Sequence, residues 1–212
     1  MYIPDCFNDS TVEEVRTLIE ENGFGLLINT TQGKLWATHI PMELTVNEKG
    51  EEVLLGHIAR ANKQWKSFED GKEVLAVFQG PHSYISPKWY THQNVPTWNY
   101  VAAHVYGRIK KLEGEPLYKA LTRLLNKYET RNKTYMKLED LPEKFVKREL
   151  RGLVGFEIAI TEIQASFKLS QRKDEKSYDH IIQALETSAE LREVKIAAYM
   201  KKRKKDLFPG KN

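Results

Sequence analysis

Phe24-Gly25-Leu26-Leu27-Ile28-Asn29-Thr30 is an apolar run that stops at the turn dipeptide Gln32-Gly33, and the mixed, extended stretch 35–42 follows at once. Two strand-like runs on either side of a glycine-containing turn are a hairpin signal. Pro41 stands near the expected end of the second strand at Met42. Asn47 to Gly50 reads as another turn, 52–58 as a third strand and 74–78 as a fourth. Short strands joined by Gly and Asn turns predict an antiparallel sheet or barrel.

Helices flank this block. Residues 10–22 carry Val12, Val15, Leu18 and Ile19 at helical spacing, with Ser10 and Glu13 placed as a capping box and Gly23 as the left-handed stop. A short helix is expected over 62–68. Residues 101–109 resume as a strand. Leu117, Ala120, Leu121, Leu124 and Leu125 then line one face of a helix over 115–128. A loop over 130–136 and a helix over 141–150 follow. Phe156, Ile158 and Ile160 alternate with Glu157, Ala159 and Thr161, and the phase slips at Glu162-Ile163, which suggests a bulge or bend in a long strand. Tyr178, Ile181, Ile182 and Leu185 form another helical stripe, and 188–205 reads as a last helix running into a basic tail.

The chain has 212 residues, 29% of them charged, and a mean hydropathy of −0.57. No apolar run approaches the roughly 18 residues of a membrane span, and the first residues show no secretory pattern. A soluble, cytoplasmic protein without membrane partners is expected. The single cysteine, Cys6, excludes an intramolecular disulfide or a CxxC zinc site. Positive charge is gathered in two places. Residues 201–212 hold six Lys/Arg against one Asp, and residues 108–151 hold 13 Lys/Arg against 7 Asp/Glu. Such gathering marks either an anionic partner such as DNA or a solvated helix face.

Several chemistries are missing. No P-loop occurs, Gly23-Phe24-Gly25 lacks the third glycine of a dinucleotide fingerprint, and neither HExxH nor GxSxG is present. The six histidines show no metal-ligand spacing, so no metal site is expected. No helix-turn-helix signature is visible. Hydrolases and nucleoside triphosphatases lose weight accordingly, and no catalytic residue is assigned.

The most suggestive constellation is Gly56-His57-Ile58-Ala59-Arg60-Ala61-Asn62, where a strand ends and a short helix begins. Arg60 offers planar donors for a phosphate, and Asn62 can cap the helix. The alternative is a surface salt bridge for Arg60 and a purely structural cap. Residues 80–100 mix Pro81, Pro87 and Pro96 with Tyr84, Trp89, Tyr90, Trp98 and Tyr100. These rings either plug one end of the sheet or wall a flat ligand. Lys168 and Arg172 add cations just past the long strand. A flat, phosphorylated cofactor such as flavin mononucleotide (FMN) matches this set of groups.

The motifs resemble the PaiB family of bacterial transcriptional regulators with an FMN-binding split-barrel fold. The matching stretches are Met1-Tyr2-x-Pro4 with Phe7, the Gly56 to Asn62 run with Gln64-Trp65, Tyr84-Ile85-Ser86-Pro87 with Trp89-Tyr90, Val95-Pro96-Thr97-Trp98-Asn99-Tyr100 with His104 and Gly107, and Lys168-Leu169-Ser170-Gln171. Lys63, Lys88 and Arg172 depart from the family pattern, where proline, a small residue and asparagine are expected. The resemblance implies an α+β fold: a mainly antiparallel six-stranded split barrel, related to pyridoxamine-phosphate oxidases, with flanking helices and a C-terminal helical extension. Residues 1–170 would form the barrel domain, with a helical insertion over 115–150, and 171–212 the extension with its basic tail. It further implies a homodimeric negative regulator of sporulation and protease production. His57, Arg60, Ala61, Asn62, Trp98, Asn99, Tyr100 and Lys168 would lie at the cofactor. A flavin-dependent oxidoreductase of the pyridoxamine-phosphate-oxidase class is the alternative. A dimeric module for another flat ligand such as haem, with His82, His92 or His104 as its ligand, is a third.

Overall fold

The computed structural model describes residues 1–7 and 10–210. Strands Phe24–Thr31 (β1) and Lys34–Val46 (β2) pair antiparallel from Phe24 opposite Pro41 to Thr31 opposite Lys34. Gln32 and Gly33 both take positive φ, +51° and +75°, as the tight hairpin turn requires. β2 runs past Pro41 to Val46, four residues beyond the expected end. A second turn follows, in which the Asn47 side-chain oxygen accepts from the amides of Lys49 and Glu51 and Gly50 stands at φ +81°.

The remaining strands are Glu52–Ala59 (β3), Lys72–Ile85 (β4), Thr97–Leu112 (β5) and Leu153–Lys168 (β6). They hydrogen-bond in the order β1-β2-β3-β6-β5-β4 around a closed barrel. β4 and β5 are each much longer than their apolar cores suggested. β6 is one unbroken strand, although none of residues 159–164 is buried. The helices are Val12–Glu21 (α1), Gly114–Asn132 (α2), Glu143–Leu150 (α3), Glu175–Glu186 (α4) and Leu191–Leu207 (α5).

Helix ends shift by a residue or more from the sequence expectation. The capping box at α1 is Thr11 with Glu14, not Ser10 with Glu13: the Glu14 amide donates to Thr11 Oγ1 at 3.2 Å, and the Thr11 amide donates to Glu14 Oε2 at 2.9 Å. Gly23 is not among the left-handed glycines; its carbonyl instead accepts the Met42 amide at 2.7 Å and starts the hairpin. α2 runs on to Asn132 and closes on Lys133 at φ +60°. α5 starts at Leu191, not 188.

The chain divides into two compact units. One comprises residues 22–78 and 104–163. Its core holds Leu27, Met42, Leu54, Phe68, Phe78 and Phe156, all essentially inaccessible. Burying each such side chain contributes about 1.5–3 kcal/mol. Leu112, Leu117 and Ala120 tie α2 to Leu55 and Leu153. Gln64, fully buried in the 3-10 turn Lys63–Ser67, donates to the Leu27 carbonyl and to Asn29 Oδ1 and accepts from Thr38 Oγ1. It thereby joins the hairpin to the turn. The other unit comprises residues 1–21, 79–103 and 164–212. There Leu18, Ile19, Phe167, Tyr178, Ile196 and Met200 are buried, and Tyr178 donates its hydroxyl hydrogen to the Met200 carbonyl at 3.1 Å.

Residues 201–205 are the last turns of α5, within the expected last helix, and four of their five cations are ion-paired. Arg203, only 7% exposed, meets Glu14 Oε2 at 3.2 Å. Lys202 meets Glu14 Oε1, Lys201 meets Glu186, and Lys204 meets Asp179 and Glu175. Lys211 lies outside the described residues. Among those described, no helix is long and apolar enough to cross a membrane.

Candidate functional site

Arg60 follows β3 directly, where the chain leaves the sheet for the turn that Asn62 caps. Asn62 Oδ1 accepts the Gln64 amide at 3.0 Å, and its Nδ2 donates to Thr38 Oγ1. The guanidinium does not extend freely into water. Its Nε donates to the Arg151 carbonyl at 2.8 Å and one Nη2 hydrogen to the Leu153 carbonyl at 3.0 Å, while Glu113 lies 3.7 Å away. These carbonyls belong to the chain just before β6 and to its first residue, opposite the end of β3.

Trp65 completes the corner. Its Nε1 donates to the Arg60 carbonyl at 2.7 Å, and its ring lies 5.6 Å from the Arg60 guanidinium and 5.7 Å from the Lys111 ammonium. Among the described residues no partner stands at Arg60 Nη1, and the side chain is 41% exposed. Two cations flanking one indole, with donors to spare, fit the phosphate end of FMN. Lys111 was not singled out from the sequence; only its place near the end of β5 brings it here. Ala61 is exposed in the turn and offers only its backbone.

His57 lies elsewhere in the same unit. It lines an apolar groove with leucines of α2, and burial pushes its imidazole below the ordinary value.

The second half of the expected site lies in the other unit, at the start of β5 and the end of β6. Lys168 donates to Thr97 Oγ1 at 2.8 Å. Asn99 is fully buried, accepts from Ser170 Oγ at 3.0 Å and reaches Met200 Sδ. Trp98 is 52% exposed, with Tyr84 edge-on at 6.0 Å and His82 at 6.1 Å. Tyr100 is half-buried. The aromatic segment therefore divides. Tyr90 turns inward, stacked on His92 with Lys173 4.3 Å from its ring, whereas Trp98 and Tyr84 stay at the surface. Among the described residues no group of three or more His, Cys, Asp or Glu is placed to hold a metal ion.

Residues 1–162 match the family model described as a putative FMN-binding domain. The chain is 44% identical over 187 residues to the protease synthase and sporulation protein PAI 2 of Bacillus subtilis, covering 88% of this chain and 89% of that protein.

The chain belongs to the PaiB family.

An uncharacterized protein of Emericella nidulans is 30% identical, covering 88% and 90% of the two chains. Among solved structures, an FAD and heme binding protein from Mycobacterium smegmatis superposes with a TM-score of 0.58 at 12% identity, over 76% of this chain and 72% of that one. The flavocytochrome Anf3 from Azotobacter vinelandii gives 0.54 at 12% identity, over 80% and 73%. At such identity these neighbours establish the fold, a flavin-type split barrel, as this PaiB-family chain was expected to have.

Proposed function

We propose that this protein is a cytoplasmic negative regulator of sporulation and extracellular protease production, built as a homodimer on an FMN-binding split barrel. The observation that carries the reading is 44% identity to PAI 2 over nearly the whole of both chains. In this reading Arg60 and Lys111 hold the FMN phosphate, and Asn62 and Ala61 shape the loop around it. When bound, FMN supplies a redox-active ring; the protein's own part is to bind, orient and shield it.

The dimer is supported by the outer face of the sheet. Residues directly opposite in an antiparallel pair share a face. Phe24, Leu26 and Ile28 of β1 therefore stand beside Pro41, His39 and Ala37 of β2, and Leu26 and Ile28 beside Val77 and Leu75 of β4. Phe24 is 67% and Leu35 82% exposed. An outward sheet face so rich in apolar side chains is one that a second copy covers.

Contact with DNA belongs to the same reading, but Lys201, Lys202, Arg203 and Lys204 of α5 are already ion-paired, which leaves Lys205 as the exposed cation at that end of the helix. Lys119 and Lys127 of α2 and Lys144 of α3 have no recorded ion pair among the described residues, and they are the groups we assign to phosphate contact.

FMN titration tests the cofactor assignment. The native protein quenches FMN fluorescence, and Arg60→Ala together with Lys111→Ala raises Kd by roughly 10- to 100-fold, as expected for lost charge-assisted hydrogen bonds. No quenching by the native protein overturns it. Expression in a Bacillus subtilis strain lacking PAI 2 tests the regulatory role: secreted protease activity falls, and an unchanged level refutes the assignment.

A further inference from the structure

The leucine stripe of α2 is only partly used by the core. Leu117 and Ala120 are buried, whereas Leu121, Leu124 and Leu125 remain half-exposed. They line a groove of about 350 Å³ together with Phe145 and Leu150 of α3, and His57 of β3 lies on its floor. A volume of this size is at the lower end of ligand pockets.

A niche of about 10 Å³ shares His57, Leu121 and Leu124 with the groove and is lined by Glu43 as well. That is room for one water-sized group. Glu43 is 13% exposed at its side chain and points one oxygen, Oε1, at the Arg123 guanidinium 3.5 Å away. The other oxygen, Oε2, is buried with no hydrogen-bond partner among the described residues. A buried carboxylate oxygen without a donor is costly, so its natural complement is an N–H or O–H brought by something else. Burial holds the neighbouring His57 imidazole toward its neutral form, so the niche presents no second positive charge to Glu43.

We propose that this groove binds a small, neutral, mainly apolar molecule ending in a single N–H or O–H, its body against the leucines and Phe145 and its donor on Glu43 Oε2. An aromatic amine or alcohol has this chemistry. The site lies wholly within one unit and is separate from the Arg60 corner, so it stands whether or not FMN is bound there.

1-Naphthol is a suitable probe, because its body is apolar and it ends in one O–H. Its counterpart 1-methylnaphthalene has nearly the same shape with no donor, and both are measured by calorimetry. The native protein should bind the naphthol about tenfold more tightly than the hydrocarbon. Glu43→Met should bring that ratio to about one while leaving the hydrocarbon's affinity within a factor of about two, and Leu124→Trp should abolish binding of both. Equal affinities in the native protein would mean that water alone satisfies Glu43, and would overturn the proposal whatever the variants do. Binding that survives Leu124→Trp, or displacement of the naphthol by equimolar FMN, would overturn it as well.

Discussion

Replacing Arg203 with methionine tests whether the basic end of α5 is structural. The guanidinium is 7% exposed, lies 3.2 Å from Glu14 Oε2 and stands 6.0 Å from the Phe167 ring. Methionine retains much of the apolar packing but leaves the Glu14 carboxylate, 8% exposed, without its buried partner. Breaking such a pair costs about 3–5 kcal/mol when nothing replaces the lost partner. Glu14 keeps the Thr11 amide at 2.9 Å and Lys202 at 3.2 Å, so a loss of about 2–3 kcal/mol is the reasonable figure. For a chain of this length that lowers Tm by roughly 4–12 °C. The control is Lys201→Met, whose pair with Glu186 is 55% and 40% exposed and should cost under about 1 kcal/mol.

Calorimetry at pH 7 in low salt and at 0.5 M salt distinguishes the two, since a buried pair is screened little. A pH series adds a second readout. Burial pushes the Glu14 carboxyl up, but the Thr11 amide, Arg203 and Lys202 outweigh it and the net shift is downward. Its contribution is therefore present above the unfolded value near 4.5 and is lost as pH falls through the lower folded value. Arg203→Met should shrink that acid-side loss. If Arg203→Met and Lys201→Met shift Tm equally, the cations of α5 are solvent-held, and the reading of a basic tail available to phosphates returns.

Three further outcomes follow from single contacts. A Cβ on Gly56 would lie 2.4 Å from Phe156 Cζ in the core, so Gly56→Ala should cost about 2–3 kcal/mol in urea unfolding; a loss under about 0.5 kcal/mol would show that the ring moves freely. Gln64→Met leaves the Leu27 carbonyl and Asn29 Oδ1 without their donor and should cost about 2–4 kcal/mol, a value that an unchanged denaturation midpoint would contradict. His57 is held neutral by burial, so the unfolded chain binds its proton first and stability declines as pH drops below about 6.5. His57→Gln should flatten that slope between pH 7 and 5, and an identical slope in thermal scans would remove His57 as its cause.

Much of this architecture was legible locally. A positive-φ turn at Gln32-Gly33, the cap at Asn62, the stripe of Leu18 and Ile19 in α1 and that of Tyr178, Ile181 and Leu185 in α4 each depend on residues within a few positions of one another. Propensity, capping and periodicity act over that range, and a linear pattern records them. The strand–turn–strand rhythm from Phe24 to Phe78 implied antiparallel sheet for the same reason. Even the errors were local: Thr11 with Glu14 satisfies the same cap that Ser10 with Glu13 would have satisfied, one residue earlier.

What the linear pattern could not carry was the identity of distant partners. Arg60 finds carbonyls 91 and 93 residues away, and Arg203 finds a carboxylate 189 residues away. Lys111 reaches Trp65 only because two segments of one unit converge. The charge gathered in residues 201–212 left an anionic partner or a solvated helix face open, because electrostatic pairing depends on distance in space and burial, not on composition. Likewise α2 shows a continuous apolar stripe, but only packing decides that Leu117 enters the core while Leu124 lines a groove. Local chemistry specified the elements; the energetic role of each charged or apolar side chain was settled by which surface the fold brought against it.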